Sequence, residues 1–167
     1  DFQNTLYANI WNSLAAETIL GDINGYFQGR IKYLFLIVND KTDFCELMNR
    51  LNKINPFILA CSISIHTFNI WKNLMRELCN KRYNSFQPIL VCGGILPTAS
   101  PEYFVQDPLF KIKPMIISYS YGEYFFRQFF NHTDNWNEIN NIIYWDRFQD
   151  KIVYTKKEYF SIHNLNY

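Results

Sequence analysis

The sequence predicts an α/β domain built on a doubly wound, mostly parallel five-stranded sheet, and three observations predict it. Apolar runs of strand length alternate with stretches of helical periodicity along the chain. Three small-residue turns, Ser62-Ile63-Ser64, Gly93-Gly94 and Gly122-Glu123, each follow a strand-like run and lead into a helical pattern. The length of 167 residues suits one domain with a full core.

The elements follow in order. Thr5–Ile10 reads as a first strand, and Ser13 caps a helix carrying Ile19, Ile23 and Phe27 on one stripe. Ile31–Val38 is a near-continuous apolar run, as a strand covered on both faces would be. Thr42 caps a helix with Phe44, Leu47, Met48 and Leu51 along one face. Asn55-Pro56 ends it, and Phe57–Ser62 forms the next buried strand. Thr67 starts a helix whose inner face is Ile70, Trp71, Leu74 and Leu78. Pro88–Cys92 is a strand ending in the glycine pair. Ser100-Pro101-Glu102 is a helix start, with an N-cap serine, proline at the first position and an acid in the first turn. Pro114–Tyr119 makes a fifth strand, and Gly122 opens a helix bearing Phe125, Phe126, Phe129 and Phe130.

Five such strands fit the order 2-1-3-4-5 of a Rossmann/flavodoxin-like sheet, whose ligand crevice lies at the carboxyl ends of the strands. Residues 1–131 form this domain. In 132–167 the pattern changes: Ile142–Trp145 and Lys151–Tyr154 flank a polar turn and read as a β-hairpin appendage with a linker.

Bulk properties exclude several functions. Sixteen Lys and Arg balance fifteen Asp and Glu, so no basic footprint for nucleic acid is present. No run approaches the ~20 apolar residues of a membrane span. Cys45, Cys61, Cys79 and Cys92 are irregularly spaced, which argues against a zinc or redox motif and for reduced thiols in the cytoplasm. The chain starts at Asp1 without a signal-peptide pattern, in keeping with that location. Gly93-Gly94 lacks the G-x-G-x-x-G arrangement of a dinucleotide site. His66 sits just beyond a strand end and reads as a turn histidine, with a polar ligand contact as the alternative.

The stretch from Ile58 to Phe130 resembles the cobalamin-binding domain that precedes the barrel of cobalamin-dependent radical SAM proteins. It has the Ser62-Ile63-Ser64 turn, then Gly93-Gly94 with Thr98 and Pro101-Glu102 behind it, then Gly122-Glu123. Twenty-eight residues separate Ser64 from Gly93, similar to the spacing in such domains. Ile162-His163-Asn164-Leu165-Asn166 looks like an altered I-x-D-L-D stretch leading to a barrel. The resemblance implies that Ser62, Ser64, Thr67, Gly93, Gly94, Thr98, Gly122 and Glu123 border a cobalamin. A corrin needs an apolar shelf, and its nucleotide tail needs a slot bordered by backbone without Cβ atoms.

Histidine-ligating carriers use D-x-H-x-x-G after the first strand. Ala15-Ala16-Glu17-Thr18-Ile19-Leu20-Gly21 has no such histidine, so the implied cofactor is base-off without a protein imidazole. The three cysteines at C-x-x-x-C-x-x-C that hold a [4Fe–4S] cluster are absent. The cluster and S-adenosylmethionine are therefore expected in a downstream barrel after Tyr167, the implied partner in methyl transfer or related radical chemistry on a peptide or small-molecule substrate.

The alternatives stay open at this level. Both serines could satisfy local backbone groups, and the glycines could serve tight turns. Ser120-Tyr121 replaces the first Gly-Glu of the family's Gly-Glu-Gly-Glu signature. This fits a domain without cofactor that recognises substrate or mediates dimerisation. A receiver-like phosphotransfer domain would need acids at strand ends that here carry Asn9 and Ser62.

Overall fold

A computed structural model describes residues 10–32, 34, 36, 38, 41–79 and 87–159. Their sheet has five strands in the order β1-β2-β3-β4-β5. Strands β1 (Ile58–Ser62), β2 (Ile89–Gly93) and β3 (Met115–Ser118) are parallel. Strands β4 (Ile142–Asp146) and β5 (Lys151–Tyr154) form a hairpin. The hairpin does not stand apart: β4 pairs antiparallel with β3, matching Ser118 with Ile142, so the sheet is mixed.

Seven helices flank the described strands: α1 (Ile10–Phe27), α2 (Phe44–Ile54), α3 (Phe68–Leu78), α4 (Ile95–Ala99), α5 (Glu102–Val105), α6 (Leu109–Ile112) and α7 (Gly122–Asn131). The class is α/β, as the alternation of patterns predicts. Thr5–Ile10 lies outside the described residues except Ile10, which begins α1. Of Ile31–Val38, the described residues 31, 32, 34, 36 and 38 lie in no strand, and Leu36 and Val38 pack against the core. The first two strands of the order 2-1-3-4-5 therefore fall largely outside the described residues. The Ile162–Asn166 stretch does so wholly.

Alternation along the strands divides the core in two. Leu90, Cys92, Met115 and Ile117 face α2, α3, α5 and α6, meeting Met48, Leu51, Trp71, Met75, Phe104 and Phe110. Val91 and Ile116 face the other way, toward Phe125 and Phe129 of α7 and Ile142 and Tyr144 of β4. Strand β3 is buried on both faces, which explains its unbroken apolar run. Phe104, Phe110, Phe125 and Phe129 are the bulkiest wholly buried side chains. Each stabilises the fold by about 2–3 kcal/mol through apolar burial.

Helix ends follow local chemistry, with four corrections. Helix α1 already begins at Ile10, so Ser13 lies inside it and not at its cap. Asp43, not Thr42, caps α2, its carboxylate accepting from Cys45 N at 2.8 Å and Glu46 N at 3.2 Å. Asn55 closes that helix in the left-handed region, φ 48°. Thr67 does precede α3, but its hydroxyl makes no cap to the helix. The helix expected from Ser100 is a single turn with Pro101 at its cap position. A second single turn follows once Asp107 Oδ1 has accepted from Leu109 N at 2.9 Å. Helix α1 lies against α7, where Phe27 meets Phe130 edge to face at 5.3 Å and Asp22 pairs with Arg127.

Candidate functional site

The parallel strands end together. Ser62 is in register with Gly93, and Cys92 with Ile117, so Ser62, Gly93 and Ser118 follow one another across the carboxyl edge. By alternation all three lie on the sheet face that carries Val91 and Ile116. Ala60, two residues before Ser62, is exposed, as is Ser62 itself. The row is thus built of small side chains, open at β1 and closed over at β3, where Ser118 is 3% exposed.

The two glycines of β2 differ. Gly94 adopts φ +100°, and a Cβ there would stand 2.8 Å from Ile63 N and 2.9 Å from Ile63 O. Its role is to let the β2–α4 turn press against the end of β1. Ile63 N donates to Gly93 O at 2.7 Å and Leu96 N donates to Ile63 O at 3.1 Å in the same junction. Gly93 has no such neighbour. Among the described residues, the one atom near the place of its Cβ, chain neighbours aside, is Ser118 O at 4.0 Å. Space for a side chain lies beside Gly93 that no described residue takes up.

The remaining expected residues divide between the edge and local turns. Ser64 and Thr67 satisfy each other: Ser64 N donates to Thr67 Oγ1 at 2.8 Å, and Thr67 N donates to Ser64 O at 3.2 Å. Thr98 turns its hydroxyl back to Gly94 O at 2.8 Å. Gly122 opens α7, and a Cβ there would collide with Ile19 Cδ1, so its smallness serves the α1–α7 packing. Glu123 lies in the first turn of α7, where a carboxylate faces the positive end of the helix. The structure thus brings Ser62, Gly93 and Gly94 together, with Thr98 attached to Gly94, and leaves Ser64 and Thr67 paired on their own turn. His66, in that turn, is exposed.

Two features escape the sequence reading. Trp71 Nε1, Gln128 Nε2 and Ser118 Oγ are buried without a hydrogen-bond partner among the described residues. Trp71 and Gln128 lie on helices, whereas Ser118 ends a strand at this edge. Its signal was a hydroxyl closing the otherwise apolar Met-Ile-Ile-Ser run. The second feature is an apolar rim. Each of the junctions after β1, β2 and β3 carries a large exposed residue: Ile65 (70%), Ile95 (79%) at the start of α4, and Tyr121 (50%). Tyr121 is half-exposed, and the Tyr119 hydroxyl donates to Thr155 O at 3.5 Å. Burial raises the Tyr119 pKa above the usual phenol value. Neither tyrosine comes within 4 Å of the place of a Cβ on Gly93.

No cluster of three His, Cys, Asp or Glu able to hold a metal occurs among the described residues, and no helix there is long and apolar enough to cross a membrane.

No protein-family model matches the chain, and no curated protein matches it in sequence. Its fold is similar to solved structures of the cobalamin-dependent S-adenosylmethionine radical enzyme OxsB. The apo form gives a TM-score of 0.69 at 18% identity over 91% of this chain and 20% of that one. The form with aqua-cobalamin gives 0.67 at 18% identity, over 88% and 20%. With aqua-cobalamin and S-adenosylmethionine bound, the values are 0.66 and 19% over the same shares, 88% and 20%. The chain spans about a fifth of that enzyme's length, and the likeness is one of fold.

Proposed function

We propose that this chain is a cobalamin-binding module that serves a radical SAM catalytic unit. The observation that carries the reading is the pairing of an apolar rim, Ile65, Ile95 and Tyr121, with the small-residue row Ser62–Gly93–Ser118 at the same sheet edge. A corrin is broad and largely apolar on its faces and asks for such a rim. Its nucleotide arm asks for a slot without Cβ atoms, which Gly93 provides. Bound cobalamin supplies a cobalt centre able to carry a methyl group, while the protein contributes binding and orientation. The row contains no histidine, in keeping with a base-off cofactor lacking a protein imidazole.

Reconstitution with hydroxocobalamin tests this. The expected result is about one equivalent of corrin absorbance retained after desalting, and loss of that absorbance in Gly93→Leu. A folded protein that retains none overturns the reading.

One observation favours the second reading, a scaffold of this fold without cofactor. The space a glycine leaves at the third turn is taken by Ile19. On that reading the exposed rim meets a protein surface, and sedimentation shows a dimer or a complex while corrin retention is nil.

A further inference from the structure

We propose that Ser118 is the polar anchor of this site, its hydroxyl hydrogen-bonding the ring edge of the ligand's heteroaromatic arm; the proposal rests on the cofactor reading above. A row of small residues is no site by itself, and the independent observation is the hydroxyl. Ser118 is 3% exposed, and its Oγ has no partner among the described residues. Native folds seldom bury a hydroxyl in that state. No described residue supplies a partner for it. Register puts Ser118 beside Gly93, on the same sheet face, at the closed end of the row that opens at Ser62.

The chemistry sets the ligand class. An aliphatic arm would leave the hydroxyl as unsatisfied as before. A nitrogen heterocycle or its sugar presents an acceptor or a donor, and a serine hydroxyl can answer either. The flat ring passes beside Gly93, where no Cβ intervenes, and its polar edge meets Ser118 at the inner end. Ser118 therefore separates corrinoids that carry a nucleotide arm from those that lack one.

Ser118→Ala in the full chain tests this, titrated with hydroxocobalamin and with cobinamide, which shares the corrin and lacks the nucleotide. The expected result is cobalamin affinity reduced roughly three- to tenfold. Cobinamide affinity is unchanged, and the unliganded variant melts no lower than the original chain. Equal weakening for both corrinoids, unchanged cobalamin affinity, or a lower melting temperature without ligand would each overturn the assignment. The last result would mean that the hydroxyl has a structural partner. An original chain that binds cobinamide as tightly as cobalamin overturns the anchor and leaves the rim intact. One that retains neither overturns the cofactor reading itself.

Discussion

Asn141 holds Glu158 in both directions. Its Nδ2 donates to Glu158 O at 2.9 Å, and Glu158 N donates back to Asn141 Oδ1 at 2.9 Å. Asn141 is buried, sits at φ 58°, and donates its own N–H to Lys156 O at 3.0 Å. Its carbonyl accepts from Tyr119 N at 3.1 Å, just past the end of β3. The side chain thus imitates a strand pair, fixing the segment after β5 against the strand that ends at Ser118. Glu158 Oε2 also receives Tyr124 and Asn140, each at 2.6 Å, which ties the same segment to α7.

Asn141→Ala should therefore destabilise the chain by about 2–4 kcal/mol, from two lost hydrogen bonds and the left-handed backbone that alanine resists. Asn141→Gly should cost roughly 1 kcal/mol less, because it relieves the backbone part alone. Urea denaturation of both variants checks this. A loss under about 0.5 kcal/mol for alanine would show that the latch is not structural.

The two glycines of β2 should separate fold from ligand. Gly94→Ala places a Cβ within 3 Å of Ile63 backbone at φ +100°, and should destabilise by on the order of 3 kcal/mol. Gly93→Ala meets nothing closer than 4.0 Å and should leave stability unchanged or raise it by up to about 1 kcal/mol. If the slot holds the cofactor arm, Gly93→Ala lowers corrin retention in a protein that melts normally. Thermal melts paired with desalting after reconstitution read both quantities. Equal destabilisation at the two positions would contradict the asymmetry.

Much of this was legible in the chain because burial writes itself into pattern. The runs at Phe57–Ser62, Pro88–Cys92 and Pro114–Tyr119 overlap β1, β2 and β3 closely, since strands buried by helices need continuous apolar residues. The turns at Ser62, Gly93 and Gly122 were visible for the same reason. Their division of labour was not. Whether a glycine serves a ligand or a neighbour depends on which atom lies over it, and Ile63 and Ile19 approach from elsewhere in the sequence. Thr67 illustrates the same limit, since its hydroxyl had a competing partner in Ser64 three residues earlier. Ser118 looked like any serine at a strand end, and only its burial without a partner distinguishes it.

The Ile19–Gly122 contact should appear as coupling. Gly122→Ala forces Ile19 to move and should cost about 1–3 kcal/mol as overpacking. Ile19→Ala alone should also destabilise, by removing a half-buried side chain from the α1–α7 junction. Together the changes should cost less than their sum by about 1 kcal/mol, since a truncated residue 19 leaves room for the new methyl. Strict additivity in the double-mutant cycle would mean that α1 does not rest on α7 through this pair.

Cys61 and Cys92 are register partners in adjacent strands, and they make alkaline stability predictable. Burial pushes the Cys61 thiol up to about 12 from the usual 9.0. Although that residue is only half-buried, it packs against the core, which accounts for the direction. Burial, then the Cys61 neighbour, push Cys92 well above the same value. A thiol whose folded pKa is raised stays neutral in the fold while the unfolded chain ionises. Its stabilising contribution is complete below pH 9 and is lost between 9 and about 12 for Cys61. The loss approaches about 1.4 kcal/mol per pH unit for each thiol. Cys92→Ala removes one of the two, so the stability difference between the original chain and this variant should be flat below pH 9. Above it, the difference should shift toward the variant by about that slope. Urea titrations under reducing conditions at pH 8, 9 and 10 measure it. Parallel curves across that range would mean that the Cys92 sulfur ionises as readily folded as unfolded.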